Sequence, residues 1–228
     1  MSTETLSTKE RLLDTAERLF AERGFAAVSI RDLSAEAGVN VAAVNYHFQS
    51  KDNLYAAVLL RRVRPTKERM LAALSQVPPD GAGRPQLEAL IHAFVSTYLH
   101  DALARPDGDT FLRLMIRELH DPHTTSDTFF QELVVPLHQA MTTALARARP
   151  DLDRSDIVWI LASIIGQVAH FIMRWRRGHL SFSDPNTGRA PRELFPPLTQ
   201  PLDSYIHQVV EHVTRFTVGG IAAYAEKP

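Results

Sequence analysis

The chain of 228 residues predicts an all-α fold. Apolar residues return at steps of three and four over most of its length, while the alternating runs of strands are scarce. The periodic runs are also bracketed by helix-start residues on one side and by glycine or proline on the other.

In chain order, Ser7-Thr8-Lys9-Glu10 has the form of a capping box, and Leu12, Leu13, Ala16, Leu19 and Phe20 form one helix face behind it. Gly24 suits the end of that helix, where a left-handed residue is wanted. Ser29 with Asp32 opens a second helix through Ile30, Leu33 and Ala37, closed by Gly38. Asn40 caps a third over residues 41–47, and Ser50 caps a fourth that starts at Lys51. Residues 7–64 therefore read as four helices on short joints. The second and third are about two turns each with Gly38 between them, the helix-turn-helix pattern.

Arg64-Pro65 predicts a break or kink in the fourth helix, with a separate short helix over 66–76. Residues 78–83 form a loop. Helical runs follow near 85–104, 109–120, 126–148 and 153–177, with a final helix over 202–225. Between the last two lies a Pro- and Gly-rich stretch, 178–201, long for a structureless connection; it is either a surface link or a gating or partner-clasping segment. No internal repeat is visible.

Composition narrows the function. Apolar residues make up 45% and charged residues 22%, as in ordinary soluble proteins. Cysteine is absent, which excludes disulfide and thiol chemistry and suits a cytoplasmic location. The first residues, MSTETLSTKER, carry no apolar signal core, which argues against secretion. The weakly charged stretch 157–173 is shorter than a membrane span of about 20 residues, so a buried helix and no membrane role are expected. Net charge is −1, so any nucleic-acid surface must be local. Neither a Gly-x-Ser-x-Gly elbow, nor a phosphate loop, nor a dinucleotide fingerprint occurs, so no enzyme and no cofactor are expected. Ten histidines raise a metal-sensing alternative, densest at His120, Asp121 and His123, but Asp121-Pro122 reads as a helix end and no metal site is expected.

The third helix carries the chemistry. Val44 and Phe48 are one turn apart and can pack on Leu33 and Ala37, leaving Val41, Ala42, Ala43, Asn45 and Tyr46 facing outwards. Small apolar residues allow close approach to base edges and contact with thymine methyls. Asn45 suits a base edge or a phosphate, Tyr46 and His47 suit phosphate, and Lys51 sits where the fourth helix offers free N–H groups to an anion. Arg31 is a further candidate for base or phosphate contact. Between Ala37 and Lys51 there is no carboxylate to repel phosphate.

On these residues the segment TKERLLDTAERLFAERGFAAVSIRDLSAEAGVN, followed by NYHFQSKDNLYAAVL, resembles the DNA-binding domain of the TetR family of transcriptional regulators, matching in order and spacing over residues 8–54. The resemblance implies a helix-turn-helix domain over 1–54, a linking helix over 51–64, and a larger helical ligand-binding and dimerisation domain over 55–228. It also implies a homodimer on a palindromic double-stranded DNA operator, most often as a repressor released by a small-molecule effector. The family's DNA-facing places fall on Arg31, Asn40, Val41, Ala42, Ala43, Asn45, Tyr46, His47 and Lys51. Many members have a phosphate-holding tyrosine where Asn45 stands. Here Tyr46 follows one place later, and either residue can take that contact. FLRLMIRELHDP and RFTVGGIAAYA resemble the subgroup with a CerR-type C-terminal domain.

A small-molecule pocket needs apolar walls and a few convergent polar groups. The candidates are Phe94, Tyr98, Phe111, Met115, Arg117, Glu118, His138, Met141, Gln167 and His170. Two later helices have the pattern of dimer elements. One offers the small residues Ala162, Ser163, Gly166 and Ala169, the other an apolar stripe of Ile206, Val209, Val210, Val213 and Phe216.

Overall fold

Ser7 starts the first helix by the reciprocal bonding its sequence implies: its hydroxyl accepts from the Glu10 N–H at 3.2 Å, and the Glu10 carboxylate accepts from the Ser7 N–H at 3.0 Å. The computed structural model describes residues 7–106, 108–120, 126–176 and 200–224. In it α1 is Thr8–Arg23, α2 Ile30–Glu36, α3 Val41–Phe48 and α4 Lys51–Ser75. There follow α5 (Leu87–Leu99) with a π-helical turn at His100–Ala104, and α6 (Gly108–His120). Next come α7 (Ser126–Phe129), a second π-helical turn at Phe130–Val134, and α8 (Val135–Ala148). The last helices are α9 (Arg154–Arg176) and α10 (Leu202–Tyr224). The described residues contain no strand beyond one isolated bridge between Pro79 and Pro85. The all-α expectation holds.

Chain contacts gather the molecule into two compact units. One comprises Met1–Glu68 and Pro106–Leu137, the other Arg69–Arg105 and His138–Pro228. This grouping differs from a boundary after residue 54, because α6 packs on α1 within the first unit.

In the first unit, α1, α2, α3 and the start of α4 bury Leu12, Ala16, Leu19, Phe20, Leu33, Val44, Phe48, Leu54 and Val58. Each Leu, Val or Phe among them contributes about 1.5–3 kcal/mol when fully buried. Phe20, Phe25 and Tyr55 add an aromatic cluster, with Phe20 edge-on to Tyr55 at 4.9 Å and Phe25 at 5.1 Å from Tyr55. Arg61 reaches Asp14 at 2.5 Å, and the Arg62 Nε donates to Glu17 at 2.7 Å, tying α4 to α1.

Pro65 does not break α4, which runs unbroken through it. A proline there removes one N–H donor, a local cost. Val63, Thr66 and Met70 are buried on one stripe around it, and their packing holds the helix through the defect. The run expected as a separate helix over 66–76 is thus the end of α4.

In the second unit α10 packs along α5 and against α9. The Tyr205 hydroxyl donates to the Phe171 carbonyl at 2.8 Å and its ring lies 4.6 Å from that of Trp175. Arg176 donates to the Ala102 carbonyl at 2.6 Å, and the Arg69 Nε to Asp101 at 2.8 Å. Among the described residues, α9 is the one helix long and apolar enough to cross a membrane by length and composition. The burial expected of it is confined to one side. Ile157, Ile160, Leu161, Ile164, Val168 and Ile172 face the core, while Val158, Trp159, Ile165 and Met173 are exposed. Most of the 178–201 stretch, residues 178–199, lies outside the described residues, as do Asp121, His123 and the side chain of His120.

Candidate nucleic-acid interface

Two turns present α3, one through Gly38 and one through Gln49. Ser29 and Asp32 cap α2 reciprocally, at 3.1 and 2.9 Å. The Ser29 bonds hold the Asp32 carboxyl below its ordinary value. Gly38 then turns the chain at φ 64°, a left-handed conformation that costs glycine little. The Asn40 side chain accepts from the Ala42 N–H at 3.0 Å and starts α3. At the other end Gln49 adopts φ 67°, and Ser50 accepts from the Asn53 N–H at 3.0 Å to start α4.

Between these ends the orientation of α3 follows from two residues. Val44 and Phe48 are buried. Ala42 and Tyr46 lie one turn apart on the opposite side, and Tyr46 is 84% exposed. Asn45 is exposed beside them and Ala43 is half-buried. Val41 and Asn40 are exposed at the helix start. His47 is half-buried, its ring edge-on to Tyr46 at 5.0 Å. Arg31 is exposed in the first turn of α2. The nearby carboxylates are occupied: Asp32 caps α2, and Glu36 pairs with Arg18 at 2.6 Å. The result is a convex, nearly uncharged helix face without an acid, the shape a major groove admits.

One member of the set is turned inwards. Lys51 does not reach outwards. Its ammonium donates to the carbonyls of Phe25 and Val28, both at 2.9 Å, and lies 4.0 Å over the Phe25 ring. The carbonyls of the α1–α2 loop have no helical partner, so the nearest ammonium satisfies them.

The sequence matches the family described as bacterial regulatory proteins, tetR family, over residues 12–58, and a tetracyclin repressor-like C-terminal domain over residues 92–202. The chain belongs to the TetR family of transcriptional regulators. The HTH-type transcriptional dual regulator CecR of Shigella flexneri is 28% identical over 172 residues, covering 72% of this chain and 74% of that one. Among solved structures, native NalD, the secondary repressor of the MexAB-OprM multidrug efflux pump in Pseudomonas aeruginosa, superposes with a TM-score of 0.63 at 19% identity, covering 91% of this chain and 95% of that one. The SmeT–triclosan complex superposes with a TM-score of 0.58 at 18% identity, covering 91% of each chain. At these identities the two structures show that the TetR fold is shared.

The residues expected to line a pocket in this TetR-family chain are placed less simply. Phe111, Met115, Arg117 and Glu118 fall in the first unit; Phe94, Tyr98, His138, Met141, Gln167 and His170 fall in the second. Two are corrected. Arg117 donates to the carbonyls of Ala21 at 3.3 Å and Glu22 at 2.9 Å, capping the C-terminus of α1 where a cation is favoured. A Cβ on Gly24 would lie 2.8 Å from this guanidinium, the movable end of a long side chain, so it is the φ of +83° that calls for glycine there. Glu118 is buried and accepts from the Tyr55 hydroxyl. Both are bound to α1 and α4 rather than offered to a ligand. Phe94, Phe111 and Met141 are core residues. Met115 and Tyr98 are half-buried, and burial pushes the Tyr98 phenol up to about 12. His138 and His170 are exposed, and Gln167 bonds back to the Ser163 carbonyl at 3.3 Å.

Of the dimer residues, Ile206, Val209, Val210 and Val213 are buried in their own unit. The apolar stripe of α10 is thus split: its most apolar side turns to α5 and α9. Its outer side carries Phe216, 64% exposed, and an open groove of about 400 Å³ lined by His207, Gln208, Glu211, His212, Arg215 and Phe216. Ala162, Ser163 and Gly166 are exposed and Ala169 half-buried on α9, alongside Trp159, which is 66% exposed.

Proposed function

We propose that this TetR-family regulator is a ligand-responsive repressor that binds a palindromic operator as a homodimer in the cytoplasm and is released by a small-molecule inducer. One observation carries the DNA reading: α3 is held by Val44 and Phe48 and presents an acid-free face of Ala42, Ala43, Asn45 and Tyr46. Tyr46 supplies a donor for phosphate and register, and Arg31 one for a base or a phosphate. Support for the homodimer comes from the apolar surface that α9 leaves uncovered at Val158, Trp159, Ile165 and Met173, with Phe216 on α10. Large apolar side chains exposed in this way are what a partner surface offers. A two-fold pair of such surfaces presents two α3 helices to two half-sites, which makes the operator palindromic.

Inducer release follows if the effector binds the DNA-incompetent arrangement more tightly, since only a difference in affinity shifts the population. The test uses fluorescence anisotropy with duplexes tiled across the DNA upstream of the gene. The expected result is one duplex bound far above the rest, by two chains, with a compound found by thermal shift releasing it. Uniform weak binding to all duplexes would overturn the proposal.

A further inference from the structure

The outward side chains of α3 form a restricted chemical set. Guanine is read in the major groove chiefly by Arg or Lys on N7 and O6, and cytosine by Asp or Glu accepting from N4. Neither kind occurs on α3. The nearest ammonium, Lys51, is held by the Phe25 and Val28 carbonyls. The nearest carboxylates on α2, Asp32 and Glu36, are bound to Ser29 and Arg18. His47, the remaining nitrogen donor of the helix, is half-buried and turned edge-on to Tyr46. What the helix offers outwards is methyl groups, on exposed Val41 and Ala42 and half-buried Ala43, and the amide of exposed Asn45, with the Tyr46 ring beside them.

These groups match one kind of base pair. A thymine C5-methyl projects into the major groove and is recognised by apolar contact, and an Asn amide bonds adenine N6 and N7 in a bidentate pair. We infer that α3 reads A·T pairs, through thymine methyls against Val41, Ala42 and Ala43 and through adenine against Asn45. Any G·C pair the protein specifies is read from outside α3, by Arg31 on α2. This inference rests on the operator-binding reading above and adds the base chemistry of the half-site.

The experiment takes the full chain through selection from a randomised duplex pool, then replaces each thymine of the selected site in turn by deoxyuridine, which removes only the methyl. Positions whose base preference changes in Ala42→Gly or Asn45→Ala are those under α3. Circular dichroism confirms that both variants are folded. The expected result is A·T at those positions and about fourfold weaker binding for each contacted methyl removed. Asn45→Ala loses preference at one adenine by about tenfold or more. Asn45→Arg moves that preference to guanine. Selection of G·C under α3, or full affinity with every thymine replaced, overturns the inference while leaving the regulator reading intact. A pool from which nothing is enriched overturns the regulator reading itself, and the base assignment with it.

Discussion

Lys51 is bound to Phe25 twice: its ammonium lies 4.0 Å over the Phe25 ring and donates to the Phe25 carbonyl oxygen at 2.9 Å. With the second bond to Val28, this fixes the loop that carries the chain from α1 into α2. Lys51→Ala is therefore expected to lower stability by about 1–3 kcal/mol, seen as an earlier urea midpoint. The slope of log affinity against log salt should stay at the wild-type value. A lost phosphate contact would instead reduce it by roughly one.

Tyr55 and Glu118 form a second anchor, between α4 and α6, buried at both ends. Removing the hydroxyl leaves a buried carboxylate short of a donor. Tyr55→Phe should destabilise by about 1.5–3 kcal/mol, measured by denaturant unfolding, although the aromatic packing with Phe20 and Phe25 is kept. A change below 0.5 kcal/mol would show that the bond contributes little.

The outer face of α3 gives a sharper contrast. Ala42→Glu should leave the thermal midpoint within about 2 °C, because Ala42 is exposed and surface changes are usually within about 0.5 kcal/mol. The same change should abolish operator binding in a gel shift, since the carboxylate meets phosphate and groove wall. Retained binding would place another element in the groove.

On α9, Trp159→Glu puts a charge in the exposed apolar surface. The expected result is a folded monomer by light scattering where the wild type has the mass of two chains, with operator affinity falling alongside. A dimeric variant would move the interface elsewhere.

Two tyrosines give a pH signature. Burial pushes the phenols of Tyr98 and Tyr205 up to about 12, and Tyr205 also donates to the Phe171 carbonyl. Below about pH 10 both folded and unfolded chains hold these protons, so the groups contribute no pH dependence. Between about 10 and 12 the unfolded chain releases them first, so stability falls as pH rises through that window. Absorbance titration should show a late phase near pH 12 that loses one phenol in each of Tyr98→Phe and Tyr205→Phe.

What was legible from residues was what neighbours decide. Ser7 with Glu10, Ser29 with Asp32, Asn40 and Ser50 all cap the helices expected of them, because a cap bonds within three residues of itself. The periodic spacing of Val44 and Phe48 likewise oriented α3 before any coordinates. Pro65 shows the limit of such local rules: its missing donor is offset by the burial of Val63, Thr66 and Met70 around it.

The sequence by itself determined an all-helical TetR-family chain with a recognition helix of known orientation, since caps, helical periodicity and motif spacing are short-range properties. The tertiary structure alone decided where the charged side chains go. Lys51 meets Phe25 across 26 residues, Glu118 meets Tyr55 across 63, and Arg117 meets Ala21 across 96. It also decided which side of α10 is core and which side of α9 stays uncovered. A buried or half-buried polar group takes the partner that packing brings within about 3 Å, and no spacing along the chain announces which one that is.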